Sequence, residues 1–217
     1  MEQKFNADAV QIDLDTWERG PLFELFNGFS EPYHGVCLRV DCTETFRYAK
    51  ANRLSVFLSL MHRSLLAAHK VENFRLRVVD GAVWSFKTIH GGSAVGRSNG
   101  TIGFGHYVYY PQLTEFVREA SIEVERVKGR SDIERFAAQN VIRYSVQPWF
   151  DFTSISHATD VARRDSAPKI TFGKITEANG RHTMPVSIHV HHGLVDGSHV
   201  AQFVERFEEA LAKPELL

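Results

Sequence analysis

Cysteine is almost absent: Cys37 and Cys42 are the only two among 217 residues. A disulfide-stapled scaffold is excluded, and the pair reads as reduced small residues of a core or sheet edge in a cytoplasmic protein. Neither sign of charge is in excess, since 25 Lys and Arg face 26 Asp and Glu for a net charge of −1. The basic surplus of a nucleic-acid binder is missing. No apolar run approaches the roughly 18 residues of a membrane span, and the opening Met1-Glu2-Gln3-Lys4-Phe5-Asn6-Ala7-Asp8 lacks an apolar signal-peptide core. No repeat period and no Pro-, Gly- or Ser-rich linker divides the chain, so residues 1–217 read as a single domain. A chain of this length buries about 70% of its unfolded surface and needs no metal or disulfide staple. A hydrophobic content of 43% with 24% charged residues excludes a disordered or fibrous chain. What is plentiful is Phe, at 16, and His, at 11. The first promises an aromatic-rich core or pocket; the second matters only if the histidines converge.

Periodicity predicts the elements. Asp15-Thr16-Trp17-Glu18 caps and opens a short helix through Leu22, Phe23, Leu25 and Phe26. Val36, Leu38 and Val40 alternate with Cys37, Arg39 and Asp41 as a half-buried strand. Leu54 to Lys70 is an amphipathic helix, with Phe57, Leu58, Met61, Leu65 and Ala68 on one face. Phe74, Leu76 and Val78 alternate as a strand that turns at Asp80-Gly81 into Val83–Phe86. The glycine-rich stretch from Gly91 to Gly100 reads as one long loop, and loops of that length are often functional. A helix follows Pro111, with Leu113, Phe116, Val117 and Ala120 as its stripe. Lys169–Thr176 and Met184–His191 form two strands joined across Asn179-Gly180. A last helix begins near Ser198 and buries Val200, Phe203, Val204, Phe207 and Leu211. Hairpin strands packed by a few long helices predict an α/β two-layer sandwich with a mixed sheet.

The segment His189-Val190-His191-His192-Gly193-Leu194-Val195-Asp196-Gly197-Ser198-His199 concentrates four histidines with one Asp and two Gly. Two chemistries compete. His189 and His191 share a strand face and could hold a metal, given a third and fourth ligand. Against this, the Asp stands four residues beyond His192, unlike the spacing of the common metal-dependent hydrolases. Alternatively, His192 ends a rigid strand before a tight turn, and a neutral imidazole there is the usual general base for a hydroxyl. Asp196 would cap the following helix or pair with a distant Arg.

His191-His192-Gly193-Leu194-Val195-Asp196-Gly197 matches HHxxxDG, the signature of the chloramphenicol acetyltransferases and of the acyltransferase components of 2-oxo-acid dehydrogenase complexes. Trp17-Glu18-Arg19 with Phe23-Glu24-Leu25-Phe26, Asn140 to Trp149 with Ser145 and Pro148, and Ile170-Thr171-Phe172-Gly173-Lys174 resemble further blocks of the first family. The resemblance runs nearly full length, from Asp13 to the final helix. A dehydrogenase-complex component would carry lipoyl and linker domains, for which there is no room.

The resemblance implies a CoA-dependent acyltransferase fold and transfer of an acetyl group from acetyl-CoA, a co-substrate, to a hydroxyl of a small molecule, without a metal. It implies His192 as general base and Ser145 as the hydroxyl that donates to the tetrahedral oxyanion. Asp196 is expected to pair with Arg19, and Thr171, Phe26, His157 and Trp149 to line the substrate site. It also implies a homotrimer with active sites between subunits, with no nucleic-acid or membrane partner. Departures fall in the acceptor pocket: Pro32 with His34 or Tyr33, His157 at an apolar position, and Ile175 at a Tyr position. Acetyl transfer is therefore expected to be retained while the acceptor changes. The competing functions are acetylation of another small alcohol, a non-catalytic trimeric binding module of the same fold and a metal-dependent hydrolase. Thiol release from acetyl-CoA and a metal analysis separate them.

Overall fold

The computed structural model describes residues 8–134, 136–159 and 165–215. In chain order its elements are β1 (Ala9–Gln11), α1 (Gly20–Asn27), β2 (Tyr33–Asp41), α2 (Thr43–Ala51), α3 (Val56–His69), a 3-10 turn (Glu72–Arg75), β3 (Leu76–Val79), β4 (Ala82–Phe86), β5 (His90–Gly96), β6 (Ile102–Tyr107), α4 (Leu113–Lys128), β7 (Val141–Val146), β8 (Lys169–Phe172), β9 (Thr176–Ala178), β10 (Arg181–His191) and α5 (Gly197–Ala212). The main sheet runs β2-β10-β8-β7-β5-β6, with β9 also paired to β10, and a small antiparallel sheet runs β1-β4-β3. The β5–β7 and β7–β8 pairs are parallel and the rest antiparallel, so the main sheet is mixed. Helices α3, α4 and α5 pack on the main sheet, giving the two-layer α/β sandwich expected.

Alternation along the central strands sorts the side chains. Tyr144, Ile170, Ile188 and Val36 form one cross-strand row, and Phe172, Val186 and Leu38 the next. These rows face the helices and join Met61, Leu65, Phe203 and Phe207 in the core. The intervening row, Ser145, Thr171, Ser187 and Cys37, faces the other way. One strand therefore supplies core hydrocarbon and site hydroxyls by turns.

Several expectations are corrected. The first helix starts at Gly20, not near Asp15, because Asp13 folds the preceding segment on itself: its carboxylate accepts from Asp15 N–H and Thr16 Oγ1. Pro21 then sits in the first turn, where a missing N–H costs nothing. Phe74 lies in the 3-10 turn, stacked on Phe203 at 4.4 Å, and not in the strand. Gly91 to Gly100 is no long loop: Gly91–Gly96 belong to β5, paired on both edges. Gly91 is there for contact, since a Cβ on it would stand 2.8 Å from Met61 Sδ of α3. The strand expected over Lys169–Thr176 breaks at Gly173-Lys174-Ile175 into β8 and β9. Opposite this break stands Pro185, whose carbonyl accepts from Gly173 N–H. The N–H that Pro lacks would have pointed at the same gap, which is where a proline is tolerated in a sheet. Both predicted hairpin turns form, with Asp80-Gly81 and Asn179-Gly180 all at positive φ.

Candidate active site

The turn between β10 and α5 is fixed from three sides. The N–H groups of Leu194 and Val195 return to His191 O at 3.0 and 2.9 Å, and His192 N–H donates to Pro32 O at 2.7 Å. Asp196 caps α5, with Oδ1 accepting from Ser198 N–H at 3.0 Å and His199 N–H at 3.4 Å, while His199 Nδ1 accepts from Asp196 N–H at 3.2 Å. Arg19 closes the arrangement. Its guanidinium donates to Asp196 Oδ2 at 2.7 Å, His192 O at 2.8 Å and Gly193 O at 2.9 Å. Burial alone would raise the Asp196 carboxyl, but bonds from Ser198 and Arg19 and the charges of His199 and Arg19 outweigh it and hold it well below the usual carboxylate range. Asp196 touches Arg19, Ser198 and His199, and none of its hydrogen bonds reaches the His192 ring.

The His192 ring is held by other rings. Phe26 of α1 stacks on it at 3.9 Å and 8°, and His34 of β2 packs at 4.4 Å. His34 is itself anchored through Nε2 to Val195 O at 3.2 Å, and burial lowers its pKa. Nδ1 of His192 is enclosed without a hydrogen-bond partner, whereas Nε2 is not enclosed and bonds nothing among the described residues. That nitrogen is the one able to meet a substrate proton.

Ser145, Thr171 and Ser187 stand side by side on the sheet face away from the helices. Residues 147–159 fold over them, through Gln147 N–H to Phe172 O, Lys174 N–H to Phe150 O and an Arg39–Asp151 ion pair. Thr171 and Ser187 are thereby fully buried. His157 comes down from this segment and its Nε2 bonds Thr171 Oγ1 at 3.1 Å. The polar ring at an expected apolar position is thus satisfied by Thr171 rather than by His34 or Tyr33.

The sequence-predicted residues fall into two groups. His192, Asp196, Arg19 and Phe26 gather around the turn. Ser145, Thr171 and His157 gather on the sheet face away from the helices, and among the described residues no hydrogen bond or ring contact joins the two groups within one chain. Trp149 joins neither, being 73% exposed with its ring against Phe150. His191 is buried between Phe23 and Tyr33, and among the described residues no group of three or more His, Cys, Asp or Glu could hold a metal ion. Sequence reasoning missed His34 as a wall of His192. It also missed Lys169, Ser187 and His189 beside Thr171. Alternation along Lys169-Ile170-Thr171 and Ser187-Ile188-His189 carried that second signal.

A family model described as Chloramphenicol acetyltransferase matches residues 7–208. The chain belongs to the chloramphenicol acetyltransferase family. Among its relatives, the chloramphenicol acetyltransferase of Escherichia coli is 25% identical over 215 residues, covering 96% of each chain. That of Proteus mirabilis is 23% identical over 202 residues, covering 91% of this chain and 92% of its own. A solved chloramphenicol acetyltransferase superposes with a TM-score of 0.84 at 28% identity, covering 94% of this chain and 99% of that one. A dihydrolipoamide acetyltransferase of Azotobacter vinelandii shares the fold, with a TM-score of 0.66 at 18% identity over 86% of this chain and 84% of its own. Every residue placed in either group lies within the span matched to the chloramphenicol acetyltransferase family.

Proposed function

We propose that this chain is an acetyl-CoA-dependent O-acetyltransferase in which His192 is the general base and Ser145 the oxyanion donor. The observation that carries the reading is the turn at His192: one guanidinium holds two of its backbone carbonyls and the Asp196 carboxylate while the ring keeps an unenclosed nitrogen. Nε2 of His192 takes the proton of the acceptor hydroxyl as that oxygen bonds to the thioester carbonyl carbon. Ser145 Oγ donates to the resulting oxyanion; one such donor is typically worth about 3–4 kcal/mol. As the carbon–sulfur bond breaks, His192 returns the proton to the departing thiolate, giving the acetyl ester and free CoA. Asp196 and Arg19 position the turn and take no proton.

The separation of the two groups on one chain supports a site completed by another copy, His192 of one subunit facing Ser145 of the next in a homotrimer. The 217 residues act as one acetyltransferase domain, without metal. No helix among the described residues is long and apolar enough to cross a membrane. Both cysteines are free, and burial pushes the Cys42 thiol up to about 12, so it stays a thiol; this suits the cytoplasm. The relatives' names make chloramphenicol the first acceptor to try, although His157 argues for another small alcohol.

The test is thiol release from acetyl-CoA with chloramphenicol and a panel of other alcohols, together with light scattering. Turnover that vanishes in His192→Ala and a mass near three times 24.6 kDa are expected. Turnover that survives in His192→Ala, or a monomer at working concentration, would reject the base or the shared site respectively.

A further inference from the structure

A cavity of about 310 Å³ opens between residues 156–159 and the starts of β2 and β8. Tyr33, His34, Gly35, His157, Lys169 and His189 are among the residues that line it. It touches both halves of the site described above: His34 packs on the His192 ring, and His157 bonds Thr171, the cross-strand neighbour of Ser145. Hydrocarbon makes up most of its lining, as in pockets for small organic molecules, and Lys169 with three imidazoles adds polar groups to that wall.

Lys169 and His189 are register partners, and on the other side of His189 stands Gly35. A Cβ on Gly35 would fall 2.5 Å from His189 Nε2 and Cδ2, so the missing side chain is what lets the imidazole lie across β2. Two hydroxyls then fix two rings. Ser187 Oγ bonds His189 Nδ1 at 3.0 Å, Thr171 Oγ1 bonds His157 Nε2 at 3.1 Å, and the rings meet edge to face at 5.1 Å and 85°. Each ring keeps its second nitrogen without a partner among the described residues. Lys169 Nζ donates to Thr159 Oγ1 at 2.9 Å and lies 5.9 Å from the Tyr33 ring, with no carboxylate at ion-pair distance among the described residues. Asp165 is engaged by Arg143 at 2.6 Å, and Glu31, at the rim, is exposed. A half-buried ammonium that shares its cavity with two imidazoles and has no counter-ion among the described residues is a receptor for an anion. One lysine, with no arginine among the described lining residues, matches a single negative charge better than a phosphate dianion.

We propose that the acceptor is a hydroxyl compound bearing a carboxylate, received in this cavity by Lys169 with the free nitrogens of His157 and His189. The proposal rests on the acetyl-transfer reading for the hydroxyl but not for the carboxylate. Burial depresses the Lys169, His157 and His189 pKa values, in keeping with groups whose counter-ion arrives with the ligand.

The experiment compares para-(hydroxymethyl)benzoate with its methyl ester, a pair that differs in one charge and one methyl group, the Lys169→Met variant separating the two effects. Binding is followed by calorimetry, and acetyl transfer by thiol release, on the full chain at neutral pH. The acid is expected to be favoured over the ester by about tenfold in Kd and in kcat/KM, the weight of one charge-assisted contact. Lys169→Met should erase that ratio, chiefly through KM for the acid, and Lys169→Arg should restore part of it. Gly35→Ala, which displaces the His189 ring, should lower the ratio by a smaller factor. Equal binding of acid and ester, no binding of the acid, or an acid preference that survives Lys169→Met would overturn the proposal. Preferential, Lys169-dependent binding of the acid with no acetylation of any alcohol would uphold the anion site and reject acetyl transfer. Acetylation without any acid preference would do the reverse.

Discussion

His62, His69, His90 and His106 gather where α3 meets β5 and β6, while His34, His157, His189 and His192 border the end of β10. The two sets hold their rings by different means. In the first, backbone groups hold three of the four rings, while the His106 ring packs on those of His90 and Phe136. His62 Nε2 lies against Tyr110 O and Pro111 O, and His90 Nδ1 accepts from Tyr109 N–H. His69 donates from Nδ1 to Leu65 O and accepts at Nε2 from Ile89 N–H. A backbone N–H only donates and a carbonyl only accepts, so His69 is a neutral ring of one tautomer. In the second set His34 also meets a backbone carbonyl, Val195 O, but His157 and His189 are held by hydroxyls, which can donate or accept, and His192 by rings alone. Backbone partners freeze protonation; hydroxyl and ring partners leave it free to change. The same residue type is thus a structural pin in one place and, in the proposed mechanism, a proton carrier in the other.

The comparison breaks most directly at its functional end. His192→Ala should lower acetyl transfer by about 10³-fold, within the usual worth of a general base, with the fold unchanged by circular dichroism. A comparable kinetic loss in correctly folded His69→Gln would erase the distinction between the two sets.

Acid should discriminate them by stability. Burial, with lesser repulsion from neighbouring cations, lowers His62 and His90 from 6.5 to about 4. The unfolded chain therefore takes up their protons first as pH falls. Their contribution is complete above about pH 6.5 and is lost progressively toward pH 4, on the order of 3 kcal/mol for His62 and less for the more open His90. Melting temperatures between pH 7 and pH 4 should fall steeply, and the slope should be shallower in His62→Gln. An unchanged slope would place the acid sensitivity elsewhere.

Asp196→Asn should act on both activity and stability. The Arg19 side chain is 11% exposed and Asp196 32%, so the cost should lie below that of a fully buried pair, on the order of 2 kcal/mol. A thermal melt of Asp196→Asn beside a turnover assay checks it. Lost turnover with an unmoved melting temperature would point to direct coupling between Asp196 and His192.

The smallest effect is expected at His157. His157→Leu removes the ring that Thr171 satisfies and restores hydrocarbon to the wall. The KM for chloramphenicol should fall a few-fold while that for acetyl-CoA barely moves. No change in either constant would mean that the ring does not meet the acceptor.

The chemistry at the β10–α5 junction was readable because its residues are contiguous. HHxxxDG, the alternation before it and the helical stripe after it all lie within one stretch of chain, and Arg19 sits in a motif of its own. β5 was hidden because three of its seven residues are glycines, one of them fitted against α3, and glycine carries no strand signal. α2, with Glu44, Arg47 and Lys50 among nine residues, shows too little apolar stripe to stand out. The anion cavity was invisible for a different reason. Gly35, Lys169 and His189 lie on three strands and meet only through register, which no spacing along one segment reveals.

That register has a guardian in Pro185. It stands where β10 has lost β8 and not yet gained β9, the one gap in which its missing donor goes unnoticed. Slide β10 by one residue in either direction and the ring would confront an intact ladder, while Met184, Val186, Ile188 and Val190 would trade places with Ser187 and His189. An alternating strand could still slip by two residues, which keeps its hydrocarbon on the core face. This one carries a tooth that fits a single notch, so the assembly of a site whose parts are never adjacent in the chain is proofread by a residue that touches no substrate.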